Sequence, residues 1–245
     1  MKQATTLGRN RTGVQMSPAD ASEMQLAAEA LPTDTEAAET GLARLRRPYI
    51  EESEGLGSVP LPGTVKGAAS AVMQALAGDK AHVLIDKLGE RLAFERGGVR
   101  LYEALLGKCE ASPDLLPEGA LERLRHFHDE EAEHFAMVAE ALREIGADPT
   151  AQTPGADLVG VQSMGLMQAM GDPRTNLLQS LHVVLDAELL DHAGWEMLIT
   201  LARGMGQDRM AQRFQQALDQ ETEHLQQVRQ WVEELTMKDA SVVRH

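Results

Sequence analysis

Residues 127–138 read FHDEEAEHFAMV, and the order of apolar and polar side chains in this stretch decides how the chain folds. On a helix that advances about 100° per residue, Glu131 shares a face with Leu124, Phe127, Val138 and Leu142, and His134 stands almost above Glu131. A carboxylate and an imidazole therefore point into a helix core. A buried carboxylate is costly unless it is neutralised, paired or bound to a metal, so the stretch needs partners that its own helix does not supply.

The pattern occurs a second time. In QETEHLQQV, Glu221 and His224 repeat the spacing of Glu131 and His134, and Phe214, Leu218, Val228, Val232 and Leu235 place them on an apolar stripe. Two further stripes each carry one carboxylate. Glu95 falls among Leu88, Leu92, Val99, Tyr102 and Leu106, and Glu188 among Leu181, Val184, Leu185, Trp195 and Ile199. An aromatic follows each lone glutamate at the same distance, Tyr102 in one half and Trp195 in the other, and the interval to the next Glu-x-x-His is similar in both halves. The halves are approximate repeats of one hairpin.

Start and stop signals outline four long helices. The first runs from about 80 to 110 with Asp79 as N-cap, and its RGG at 96–98 implies a closely packed neighbour. The second opens at Pro117 and stops at Gly146. The third is capped by Asp172 with Pro173 in its first turn and runs to the GMG at 204–206. The fourth is capped by Asp208 and continues to about 237. Between the second and third, GADLVGVQSMGLMQAMGD reads as a crossover containing a short helix. The expected fold is all-α, a four-helix bundle with one long crossover between helices 2 and 3. Residues 1–66 form a mostly irregular N-terminal arm with one or two short helical turns, 67–238 the bundle and 239–245 a tail.

Composition agrees. Aromatics make up 3% of the 245 residues, and a formal charge of −15 with a pI near 4.9 argues against nucleic acid, which needs a basic face. The single cysteine, Cys109, excludes a disulfide framework, a rubredoxin-type iron site and a thiolate zinc site. No run reaches the roughly 20 apolar residues of a membrane span and no signal peptide precedes the bundle, so a cytoplasmic location away from membranes is expected.

Four carboxylates and two imidazoles at the centre of a bundle suit two divalent metals about 3.5–4 Å apart, two carboxylates bridging and each metal taking one imidazole and one terminal carboxylate. The arrangement over residues 80–237 resembles the ferritin-like di-iron carboxylate superfamily, which includes rubrerythrins and bacterioferritins. The resemblance implies that Glu95 and Glu188 are lone carboxylate ligands, that Glu131 and Glu221 bridge, and that His134 and His224 are the imidazole ligands. Tyr102 looks like the tyrosine often found near the iron. Two iron ions are implied, with manganese suited to the same ligands. Family members often carry Asp before the second Glu-x-x-His glutamate, where this chain has Gln220.

The implied activity is that of an oxidase or peroxidase acting on dioxygen or hydrogen peroxide and re-reduced by an external electron donor, in an expected homo-oligomer. The alternatives are iron oxidation and storage in a protein cage, and a scaffold that binds metal only for stability. Plainer readings suffice elsewhere. His128 and His192 are core-edge histidines satisfied by carboxylates, Met164, Met167 and Met170 fill the core of the crossover, and Cys109 has no assigned role. Glu90, Glu103, Glu130, Glu133 and Glu223 mostly lie off the stripe centres, solvated or paired.

Overall fold

The computed structural model describes residues 18–30, 35–60 and 81–240, which are helical with no strand among them. They fall into two units, one within residues 5–55 and the other within 56–245.

The first unit holds α1 (Pro18–Ala30) and α2 (Thr35–Glu52). Helices of 13 and 18 residues correct the expectation of a mostly irregular arm with short turns. The stretch PADASEMQLAAEA has Pro in its first turn and is rich in strong helix formers, so local propensity suffices without a core face. None of its residues is buried, which is why no apolar stripe announced it. The boundary expected at 66/67 lies outside the described residues.

The second unit carries the long helices α3 (Ala81–Glu110), α4 (Ala120–Glu144), α7 (Leu177–Gly204) and α8 (Asp208–Asp239), with α5 (Pro154–Gln162) and α6 (Met164–Gly171) in the crossover. Helix α3 packs along α4, α7 packs along α8, and α3 also meets α7 across the bundle. Both α4 and α7 end on the same device. Gly146 (φ 83°) and Gly206 (φ 72°) adopt the left-handed conformation. The amides that follow, Ala147 N–H and Gln207 N–H, donate to Leu142 O and Ala202 O at 2.9 Å each. This 6→1 bond closes the last turn and reverses the chain.

Helix starts differ from expectation in three places. Helix α4 begins at Ala120 after Gly119 (φ 76°), and Pro117 belongs to the preceding turn, where its carbonyl accepts from Ala120 N–H. Asp172 does not cap α7, because its carboxylate folds onto Arg174, taking both the backbone N–H at 2.8 Å and the guanidinium. Asn176 caps instead, through a reciprocal pair with Gln179. A short polar side chain bonds its nearest amide, and two candidates so close together compete for that role. Asp208 lies inside the first turn of α8, where the helix dipole favours a negative charge, and Gln207 holds the cap position without a side-chain bond. Asp79 lies outside the described residues. The crossover contains two short helices rather than one.

The core is split in two. One cluster gathers Leu84, Leu88, Val138, Leu142, Trp195, Leu198 and Phe214, and the other Tyr102, Leu105, Leu124, Phe127, Leu181, Val184, Val228 and Trp231. On every long helix the proposed polar positions fall between these clusters, so a polar layer is sealed at both ends by apolar side chains.

Glycines set the closest approaches. A Cβ on Gly89 would meet Thr153 Oγ1 at 2.5 Å, whereas one on Gly97 would meet nothing within 4 Å. Gly97→Ala should therefore stabilise the protein by about 0.5–1 kcal/mol through helix propensity. Gly89→Ala should destabilise it by about 1–3 kcal/mol by pushing the crossover off α3. Urea denaturation of the two variants checks the pair, and equal shifts would contradict the packing.

Candidate metal centre

The six sequence-derived positions converge. Glu95 from α3, Glu131 and His134 from α4, Glu188 from α7, and Glu221 and His224 from α8 are all buried, none more than 2% exposed. Ligand-capable atoms of Glu131, Glu188, Glu221 and His224 lie within 4.8 Å of one another, as do those of Glu95, His134 and Glu221. Glu221 belongs to both groups. Gly98 makes the room: a Cβ there would overlap Glu131 Oε2. The RGG signal thus has a specific cause, since the close neighbour is a carboxylate of the site.

The imidazoles are oriented from outside. Gln220 Nε2 donates to Glu130 Oε1 at 2.5 Å, which leaves Gln220 Oε1 to accept from His134 Nε2–H at 2.9 Å. Glu130 Oε2 accepts from His224 Nε2–H at 2.8 Å. Each outer partner precedes the glutamate of the opposite Glu-x-x-His, so the two halves cross-brace each other. Both rings are fixed with Nε2 protonated, and in the neutral form each turns an Nδ1 lone pair towards the carboxylates. His134 Nδ1 is 2.8 Å from Glu221 Oε1. His224 Nδ1 is 3.4 Å from Glu221 Oε2, 3.7 Å from Glu131 Oε1 and 3.8 Å from Glu188 Oε2.

Lone pairs facing carboxylates at these distances repel unless something positive lies between them. With the imidazoles neutral, both Nδ1 atoms, both oxygens of Glu221, Oε2 of Glu95 and one oxygen each of Glu131 and Glu188 are buried without a hydrogen-bond donor, while Glu95 Oε1 meets Arg91. Such a concentration of orphaned acceptors, every one able to ligate, fits divalent cations of the oxygen- and imidazole-loving kind.

Two residues of the site escaped the sequence reading. Asp191, 1% exposed, joins Glu95, Glu131 and Glu221 in a third ligand-capable group. Its position three residues after Glu188 repeats the Glu-x-x-His spacing and was a usable signal. Arg91, 5% exposed, sends Nε to Glu95 Oε1 at 2.9 Å and Nη1 to Asp191 Oδ1 at 2.8 Å. Only its place one turn before Glu95 hinted at this. Glu130, expected to be a solvated or paired acid, proves to be the outer partner of His224.

Tyr102 borders the cluster, its hydroxyl donating to Glu188 Oε1 at 2.5 Å. Its ring meets His224 edge-on at 6.3 Å, as Trp195 meets His134 at 5.7 Å. Burial, followed by the charge of Glu188, pushes the Tyr102 hydroxyl well above its ordinary range, so it remains a donor. His128 and His192 sit at the core edge near carboxylates. Met170 is fully buried, Met167 packs at the core margin and Met164 is largely exposed. Burial pushes the Cys109 thiol up to about 12, which leaves it inert.

Electrostatics follow from burial. Desolvation, followed by the neighbouring charge of Asp191, raises Glu95 well above the usual carboxylate range, and desolvation with Glu221 does the same to Glu188. Asp191 is raised by burial although Arg91 opposes it. Burial alone would lower both histidines, yet Glu221 at His134 and Glu130 at His224 reverse the sign and raise them. Without metal, protons substitute for the missing positive charge.

The family model of the ferritin-like domain matches residues 114–237, just over half of the chain. The match spans Glu131, His134, Glu188, Asp191, Glu221 and His224, and stops short of α3 with Arg91, Glu95 and Tyr102. No curated protein and no solved structure matches the chain. Among the described residues no helix is long and apolar enough to cross a membrane.

A pH dependence follows for the metal-free protein. Carboxylates raised in the folded state bind more protons there than in the unfolded chain, so stability falls as pH rises above about 4. The raised histidines add a loss of the same sign above about 6.5. Glu221, held down by both histidines, acts in the opposite sense only below the ordinary carboxylate range. The melting temperature of chelator-treated protein should therefore drop steadily from pH 5 to pH 8. A flat or rising profile would contradict a buried, uncompensated cluster.

Proposed function

The chain belongs to the ferritin-like family, and we propose that it is a di-metal oxidoreductase, with iron as the metal, reacting with dioxygen or hydrogen peroxide. The observation that carries this reading is the pair of imidazoles, each fixed by an outer hydrogen bond so that Nδ1 faces the same carboxylates. In this reading Glu95 and Glu188 are terminal ligands, Glu131 and Glu221 are shared, and His134 and His224 supply one nitrogen each. A bound pair of redox-active divalent ions would supply the electrons and open coordination positions that reduction of an O–O bond requires.

The protein's own groups prepare that chemistry. Phe127 and Trp231 on one side, and Trp195 and Phe214 on the other, exclude water and strengthen every interaction within the layer. Tyr102 holds Glu188 through its hydroxyl and places a proton donor at the edge of the site. Gln220 and Glu130 keep both imidazoles in the ligating tautomer. Manganese suits the same donors, and an external donor would return the electrons.

Anaerobic reconstitution with Fe(II) should give about two ions per chain, and His134→Ala or His224→Ala should lose both together, because removing one ion leaves the shared carboxylates uncompensated beside the other. Stopped-flow mixing of the reduced protein with peroxide and with dioxygen reads the reaction directly. Oxidation within seconds is expected. A loaded protein inert to both oxidants leaves a metal-stabilised scaffold. A hollow assembly accumulating mineral, seen by light scattering, shifts the reading to storage.

A further inference from the structure

The polar layer holds more negative charge than two divalent ions can cancel. Glu95, Glu131, Glu188, Asp191 and Glu221 are five carboxylates, each 2% exposed or less. Glu130 stands apart, since its side chain is 13% exposed and borders the solvent-facing His126. Two divalent ions would balance four of the five.

The structure assigns the fifth positive charge to Arg91: it is a built-in counter-cation of the centre, holding Asp191 and one oxygen of Glu95 in a fixed salt bridge so that the site is neutral when it carries two divalent ions. This rests on the metal-centre reading above.

The guanidinium is seated rather than incidental. Nη1 contacts both Asp191 Oδ1 at 2.8 Å and Asp191 O at 3.0 Å, and Nε contacts Glu95 Oε1 at 2.9 Å. Its Cζ lies 4.4 Å from the Phe94 ring centroid and 5.3 Å from that of Trp195. Gly194 opens the space, since a Cβ there would lie 2.5 Å from Nη1. A planar, permanently charged fork between two carboxylates and two aromatic rings is a task that arginine performs and lysine does not. Asp191 reaches Glu95, Glu131 and Glu221 within ligand distance, so Arg91 competes directly with a metal for it.

Charge balance makes the consequence specific. Arg91→Gln removes a positive charge beside the cations and should make divalent metal bind more tightly, about tenfold or more, because repulsion between like charges a few Å apart in a buried site is only partly screened. Asp191→Asn should weaken binding by a comparable factor. The double variant restores neutrality and should bind within about threefold of the wild type. A merely structural arginine gives a different pattern: Arg91→Gln weakens binding and the second substitution does not restore it.

The test is anaerobic titration of the metal-free full chain with Co(II) against a competing chelator, for the wild type and the three variants, with circular dichroism checking each fold. The expected order is Arg91→Gln tightest, wild type and double variant together, and Asp191→Asn weakest. If Arg91→Gln alone fails to fold, the double variant and Asp191→Asn decide, and a double variant that binds no more tightly than Asp191→Asn overturns the proposal. An Arg91→Gln chain that folds and binds Co(II) no more tightly than wild type also overturns it. A wild-type chain that takes up no Co(II) sinks the metal reading itself, and this inference with it.

Discussion

Five carboxylates cannot be buried together at the centre of a helical bundle unless positive charge is buried with them, and the second unit of this protein is arranged around that constraint. The layer they form interrupts the core, dividing one apolar interior into two. Each half must then be sealed by large side chains, Trp195 and Phe214 on one side and Tyr102, Phe127 and Trp231 on the other. The small residues beside the layer follow from the same demand: Gly98 yields to Glu131 and Gly194 yields to Arg91. Left empty, the layer takes protons, which is why Glu95, Glu188 and Asp191 rise while Glu221, between two imidazoles, stays low.

The two halves are alike in plan and unequal in charge. Each imidazole is braced by the residue before the opposite Glu-x-x-His glutamate, but that residue is a carboxylate for His224 and an amide for His134. A carboxylate on the outer nitrogen makes an imidazole a stronger donor than an amide does. Arg91 adds a second inequality, because it serves the His134 side, where Glu95 and Asp191 lie. A layer built from repeated hairpins thus has two inequivalent halves.

Much of this was legible because polar residues on an apolar stripe stand out against helical periodicity. Glu95, Glu131, His134, Glu188, Glu221 and His224 were found that way, and the structure gathers them into one cluster. Signals that depend on competition among neighbours were harder to read. Asp172 and Asn176 both qualify as caps, and geometry chose the second. Helices α1 and α2 escaped notice because none of their described side chains is buried. Asp191 shared the spacing of the other pairs, yet an aspartate three residues after a glutamate draws little attention without a histidine. Arg91 was the least legible, since its role depends on charges brought to it from another helix. Gln220 looked like a departure, and the structure places it as the bridge from His134 to Glu130.

The central claim is that this layer is a metal centre, and anomalous diffraction from crystals grown with Fe(II) or Mn(II) under anaerobic conditions tests it most directly. Two anomalous peaks are expected, about 3.5–4 Å apart, both beside Glu131 and Glu221, one near His134 Nδ1 and the other near His224 Nδ1. Crystals that show no peak in the layer, or metal bound only at the protein surface, would contradict the account.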